Sequence, residues 1–273
     1  MARYAISDLH GHYELYKEVK KRLKVNDLLY VLGDCADRGP DGWKTLTAVI
    51  EDPQCILLVG NHELMLCDAM ADWFKIREKV DTDEEADDEI YFLHSYRLLV
   101  MNGGEDTFWD WRKSDEMYMW FQRLQILPLE YHIFDSRCGR PLILTHAGYT
   151  PYLKPDKLED LVWNRNHFFH EWKEDEEMGN AIVIHGHTPQ EYLVEELVDY
   201  GSFRGKEYKE TDFKVLDTND CNEWHVYNLT YADGHKICID PGTIMSKKGL
   251  MINLDTLEQE AISFPFKENY DRY

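Results

Sequence analysis

The chain has 273 residues, a hydrophobic fraction of 44% and a formal net charge of −22. That length suits one α/β sandwich, and the composition argues against wholesale disorder. The acidic excess disfavours nucleic-acid binding through phosphate contacts, and no apolar run approaches the roughly 18 residues of a membrane span. The opening stretch Met1 to Asp8 turns charged too early for a signal-peptide core, and six cysteines (Cys35, Cys55, Cys67, Cys138, Cys221, Cys238) stand without a C-x-x-C pair. Together these features predict a cytoplasmic protein with reduced, structural thiols and no membrane association. Any site for an anionic substrate must be made locally positive by metal ions or arginines.

In chain order, Tyr4-Ala5-Ile6 reads as a strand followed by an amphipathic helix with Leu15, Val19 and Leu23 on one face. Leu28 to Leu32 precedes a second helix bearing Trp43, Leu46 and Ile50, with Pro40 near its first turn. Ile56 to Val59 leads into a third helical pattern from Glu63. Such continuous apolar strands belong in a sheet covered on both faces. Residues 64–131 are helical in pattern and rich in aromatics, including Trp73, Phe74, Trp109, Trp111, Trp120 and Phe121. This stretch reads as a helical insertion or cap whose aromatics form its own small core, rather than a platform for an aromatic substrate. The acidic run Asp81 to Glu89 within it reads as a solvated loop or helix start. Strands resume at Leu142-Ile143-Leu144 and Ala181 to Ile184, then at Trp224 to Tyr231, Ile237 to Ile239 and Leu250 to Leu254. With no internal repeat and no low-complexity linker, a single domain over residues 1–273 is the economical reading.

Polar clusters fall immediately after the apolar runs. They are Asp8-Leu9-His10-Gly11, Gly33-Asp34-Cys35-Ala36-Asp37-Arg38-Gly39, Gly60-Asn61-His62-Glu63, Thr145-His146-Ala147-Gly148 and His185-Gly186-His187-Thr188-Pro189. In open α/β sheets, ligand-binding groups gather beyond the carboxyl ends of strands. Asp, His and Asn offer oxygen and imidazole donors suited to manganese, iron or zinc, with no thiolate to select a softer ion. In an extended Asp8-x-His10 segment, both side chains point to one side. Five such clusters in order outweigh what any one of them would mean alone.

The set resembles the motifs of PPP-type serine/threonine phosphatases within the calcineurin-like metallophosphoesterases. It is closest to the bacterial and phage members, which include protein phosphatases and symmetrical diadenosine tetraphosphatases. The likeness spans residues 3–255, with 64–131 and 192–222 outside recognisable motifs. It implies a four-layer α/β sandwich, two mixed sheets face to face with helices outside. It implies two divalent ions, manganese or an iron–manganese pair with zinc as an option. Asp8, His10 and Asp34 would hold one ion, and Asp34 as a bridge with Asn61, His146 and His187 would hold the other. A hydroxide between the ions would attack phosphorus in line. His62 would protonate the leaving group, oriented by Asp37. Arg38 would grip the phosphoryl oxygens with Asn61, and Val162-Trp163-Asn164-Arg165 resembles the element that supplies a second arginine, Arg165.

The resemblance implies a phosphoester hydrolase, first of all a serine/threonine protein phosphatase. A symmetrical bis(5'-nucleosyl)-tetraphosphatase, a phosphatase of small phosphorylated metabolites and a non-catalytic phosphate-binding scaffold are the alternatives. The substrate would be a phosphorylated protein, a nucleotide or a small molecule. His185 reads as packed, His12 has no assigned role, and His167 and His170 share a helical stretch with Trp172. Gly201 to Lys206 lacks the spacing of a phosphate loop. Asp240-Pro241-Gly242-Thr243 resembles the family's Asp-Thr-Gly turn, departing from it at Pro241.

Overall fold

The computed structural model describes residues 1–149, 159–165, 179–199, 202–203 and 206–267. The helix expected around His167, His170 and Trp172 lies outside the described residues, as do Gly201, Arg204 and Gly205 of the rejected loop. The chain begins with β1 (Arg3–Ile6), α1 (Tyr13–Lys20), β2 (Leu28–Val31), α2 (Gly42–Glu51) and β3 (Cys55–Leu57). Five helices follow: α3 (Asn61–Arg77), α4 (Asp83–Ile90), α5 (His94–Met101), α6 (Glu105–Arg112) and α7 (Met117–Gln125). Next come β4 (Glu130–Ile133), β5 (Leu142–Thr145), a short α8 (Glu159–Val162), β6 (Ile182–His185) and α9 (Gln190–Asp199). The two-residue strands β7 (Ser202–Phe203) and β8 (Lys206–Glu207) pair only with each other. The chain then runs through β9 (Lys214–Asn219), β10 (Trp224–Tyr231), β11 (Lys236–Cys238), α10 (Thr243–Ser246), β12 (Lys248–Asn253) and β13 (Gln259–Ser263).

The strands form two mixed sheets, one in the order β13-β12-β1-β2-β3 and one in the order β4-β5-β6-β11-β10-β9. β1, β2 and β3 run parallel, as do β5, β6 and β11, while the remaining neighbours are antiparallel. Strand alternation explains how the sheets stack. Ala5, Tyr30 and Leu32 face inward and meet Leu142, Leu144, Ile182, Ile184 and Ile237 of the other sheet in one buried cluster. Their neighbours Ile6, Leu29 and Val31 face outward beneath the helices. On the far side, Leu193, Val194 and Leu197 of α9 pack on Tyr227, Leu229 and Cys238. The outcome is helix, sheet, sheet, helix, which matches the expected sandwich.

The aromatic stretch departs from its expected form. Trp73, Phe108, Trp111 and Trp120 close no separate core; they share one cluster with Leu29, Val31 and Leu57 of the five-stranded sheet and with α1 and α2. Helices α3 to α7 are therefore an outer layer bonded to the main body. Trp111 and Phe108 are 0% exposed and have no face left for a substrate. The acidic run is the expected solvated helix start. Thr82 caps α4 by accepting from the Glu85 N–H, and Glu85 reaches back to the Thr82 N–H at 3.1 Å. Arg112 bonds Asp83 at 2.9 Å and Asp87 at 2.8 Å, tying α4 to α6. The six cysteines are free thiols, and among the described residues no helix is long and apolar enough to cross a membrane.

Candidate metal centre

The ligand-bearing loops leave the strands through backbone that most side chains avoid. Asp8, His10, Asp34, Asp37, Arg38 and His187 all have positive φ, between 42° and 67°. Left-handed backbone costs a non-glycine residue on the order of 1 kcal/mol or more, and persists where surrounding structure dictates it. Here the β1 and β2 loops are laced together. The Asp8 N–H donates to the Gly33 carbonyl at 3.2 Å, His10 to Asp34 at 2.9 Å and Gly11 to Cys35 at 2.8 Å. Glu63, in the first turn of α3, accepts from the N–H groups of Asp34 and Cys35 at 2.8 Å and of Gly60 at 3.0 Å. This buried carboxylate binds the β2 loop to the start of α3. Gly186 lies against Ser7 and Asp8, where any Cβ would overlap both side chains. A glycine is thus required where the two sheets' loops meet.

The predicted residues converge. His10, Asp34 and His62 bring ligand atoms within 4.8 Å of one another, and so do Asp34, His146 and His187. Asp34 belongs to both groups, with Oδ1 3.4 Å from His146 Nε2 and Oδ2 4.0 Å from His10 Nε2. Asp8 lies beside the first group, its Oδ1 3.9 Å from His10 Nε2 and its Oδ2 accepting from the His187 N–H at 3.1 Å. Asn61 Oδ1 is 3.0 Å from both His146 Nε2 and His187 Nδ1.

The donor set fits divalent cations. His146 Nδ1 lies 2.7 Å from the Leu32 carbonyl, which fixes the ring proton there and leaves Nε2 as a lone pair. That lone pair faces the Asp34 carboxylate and the Asn61 carbonyl oxygen, electron-rich groups that a shared cation would reconcile. Buried His62 Nε2 and His187 Nε2 have no hydrogen-bond partner. Burial lowers the pKa of His146 and pushes His10 and His187 well below the imidazole range, which favours the neutral ring that a cation would need from each. Burial, with Asp240 and Asp34 nearby, pushes Asp8 well above the carboxylate range. Burial likewise pushes Asp240 up to about 7. Carboxyl groups so shifted mark a pocket short of positive charge, which bound cations would supply.

His62 stands apart from the other imidazoles. Its Nδ1 is 2.8 Å from Asp37 Oδ2, while Nε2 faces Asp34 Oδ2 at 3.9 Å. Burial works against its charged form, but Asp34 and Asp37 outweigh burial and raise its pKa. An imidazolium donates a proton and does not ligate, so its place in the first cluster is compatible with the acid role the sequence suggested. Arg38 donates from Nη1 to His10 Nε2 at 3.2 Å, and Arg165 donates from Nε to Thr188 Oγ1 at 3.2 Å. Both arginines line a cavity of about 790 Å³ together with His10, Asp34, Asn61 and His187.

Sequence reasoning gave no role to Glu63 or Asp240, although both stand inside or beside quoted motifs. Asp240 lines the same cavity, and Thr243 of its turn donates from Oγ1 to the Asp8 carbonyl at 2.8 Å. Of the discounted histidines, the two among the described residues stay outside. His185 faces the outer side of its sheet, with Nε2 2.8 Å from the Tyr231 hydroxyl, and His12 packs on Phe264 and Phe266.

Two stacked mixed sheets with a double histidine–carboxylate cluster at their strand ends match a known architecture. The family model of calcineurin-like phosphoesterases matches residues 1–220, and the chain belongs to that family. Among curated relatives, the symmetrical bis(5'-nucleosyl)-tetraphosphatase of Wigglesworthia glossinidia brevipalpis is 35% identical over 168 residues, covering 60% of this chain and 50% of the relative. The protein of that name from Erwinia tasmaniensis is 27% identical over 157 residues, covering 55% of this chain and 46% of the relative. The chain thus spans about half the length of the curated relatives it matches. Among solved structures, one provisionally named a diadenosine tetraphosphatase superposes with a TM-score of 0.53 at 12% identity, covering 95% of this chain and 92% of that one.

Proposed function

We propose that the chain hydrolyses phosphoric anhydrides of nucleotides in the manner of a symmetrical dinucleoside tetraphosphatase. The observation that carries a phosphoester-cleaving site is the pair of donor clusters joined through Asp34 beneath two arginines in one cavity. The names borne by the relatives favour a nucleotide over the phosphoprotein that the sequence motifs first suggested.

In this reading Asp8, His10 and Asp34 would hold one divalent ion, while Asp34, Asn61, His146 and His187 would hold the second. Manganese or an iron–manganese pair is our proposal for their identity. When bound, the ions supply Lewis acidity at the phosphoryl group and to the attacking water. The chain's own residues do the rest. Arg38 and Arg165 bind the phosphoryl oxygens through planar guanidinium forks and set phosphorus in line with the attack. Water adds through oxygen to phosphorus as the bond to the leaving oxygen breaks, and the water's own proton is released to solvent, from which His62 is recharged after turnover. His62 delivers its Nε2 proton to that oxygen, and Asp37 on Nδ1 holds the ring in line and favours the imidazolium before transfer.

The test compares manganese-supplemented protein on diadenosine tetraphosphate and on a phosphothreonine peptide, with products followed by chromatography. A higher kcat/KM on the dinucleotide, with two ADP as products, is the expected result. A higher value on the peptide would overturn the nucleotide reading in favour of a protein phosphatase.

A further inference from the structure

Besides its charged and polar groups, the cavity over the clusters is lined by Trp163, Tyr192, Ile244 and Met245, an apolar and aromatic part of its wall, and by Glu196. Tyr192 and Glu196 are four residues apart on α9 and so share one face of the helix. Tyr192 is 50% exposed and Met245 42%, large side chains left open to solvent beside a charged site. The wall is also fixed in place. The Tyr192 ring stands edge-on to Trp224, centroids 5.2 Å apart, and Trp224 Nε1 donates to the Pro241 carbonyl at 3.0 Å. Asn219 and Asn222 donate to the Met245 carbonyl at 2.7 Å and 3.0 Å.

We propose that this wall seats a nucleoside end of the substrate, with Tyr192 and Met245 against the base and Glu196 accepting from its amino or hydroxyl groups. The inference rests on the nucleotide reading above and adds where the nucleoside binds. Its logic is electrostatic. Phosphates are held where Arg38 and Arg165 stand. A carboxylate in the wall repels a continuing polyphosphate, so the group seated there must carry no negative charge. A flat ring with N–H donors matches an aromatic face beside an acceptor, and contact of one base with an aromatic side chain is sequence-tolerant. The buried aromatics of α6 cannot serve this purpose, because Phe108 and Trp111 are sealed in the core.

Tyr192→Ala and Glu196→Gln test the assignment, since both residues are exposed on a helix and the variants should fold normally. Adenosine, which carries no phosphate, is titrated by NMR into the wild type and both variants. The expected result is saturable binding to the wild type, with Kd raised roughly tenfold by Tyr192→Ala, the scale of one lost base contact. In turnover, the same variant raises KM for diadenosine tetraphosphate by a similar factor. Adenosine that fails to bind the wild type, or binds both variants as tightly, overturns the proposal. Tyr192-dependent adenosine binding alongside a clear preference for phosphopeptides would uphold the nucleoside seat while refuting the substrate reading. A lysine-containing phosphopeptide whose KM depends on Glu196, with no adenosine binding, would give the wall to a peptide instead and overturn the assignment.

Discussion

The two sheets contribute to the centre in different ways. The five-stranded sheet delivers Asp8, His10, Asp34, Asp37, Arg38, Asn61 and His62 from three loops bound together by backbone hydrogen bonds and by Glu63. Five of those residues sit in left-handed backbone. The six-stranded sheet delivers His146 and His187 from the tips of two buried parallel strands, and only His187 shares that conformation. One side therefore supplies Asp8, His10, Asp34, Asp37 and Arg38 on strained, braced backbone and the proposed proton donor from the first turn of α3, and the other supplies two imidazoles almost directly from strand ends. Carboxylates and an acid must be held against mutual repulsion and burial, so their loops need bracing. A neutral imidazole needs only one hydrogen bond to orient it, as the Leu32 carbonyl does for His146.

The sharpest way to break this contrast is at Asp34, the residue that both clusters share. Asp34→Asn is expected to lower kcat/KM by about 10⁴-fold, several kcal/mol of lost charge stabilisation, and to reduce bound metal at both positions by elemental analysis. A variant that kept both ions would remove Asp34 from its bridging place. His62→Asn should lower kcat by about 10³-fold on an alkyl phosphate, whose leaving oxygen needs a proton. On 4-nitrophenyl phosphate the loss should be much smaller; equal losses on both would count against proton donation. Arg165→Ala, on the six-stranded side, should lose about 30-fold in kcat/KM, the scale of one charge-assisted hydrogen bond. Steady-state kinetics at fixed metal would show it, and no change would leave Arg38 as the phosphate's arginine.

The smallest effect concerns pH. The acid works while His62 is protonated, so activity is present below its folded pKa and is lost as pH rises through that value. Asp34 and Asp37 raise this pKa against burial, and Asp37, which holds no ion in the proposed site, keeps that influence when metal is bound. Asp37→Asn removes one of the raising groups and should move the alkaline limb of kcat/KM to lower pH, with variant and wild type converging on the acid side. A limb that does not move would assign it to another group.

Much of this centre was legible before any coordinates, because its chemistry is written in short local spacings. Asp8-x-His10 and Asp34-x-x-Asp37-Arg38 put reactive side chains together within one loop, and apolar runs ahead of them mark the strands that carry them. The strands that escaped reading share one property. β4, β9 and β13 are edge strands, with one side unpaired and several residues exposed, so they lack the apolar runs of the central strands. The aromatic helices misled for a different reason. Periodicity shows that Trp73 and Trp111 face a core but not whose core it is, and only tertiary packing places them on Leu29 and Val31. Tyr192 and Met245 left no signal at all, since an exposed tyrosine on an amphipathic helix looks like any other until a cavity opens beside it.

Asp34 and His146 come from different sheets, and between those sheets lies the apolar cluster that must part when the chain unfolds. An ion held by both residues would fasten the halves together at one end. Occupancy then becomes a term in the folding equilibrium, worth about 1.4 kcal/mol for each tenfold of free ion above its dissociation constant. The Tm should rise with added manganese and fall in chelator. In a cell, scarcity of the ion would thin the population of folded molecules as well as silence those that remain.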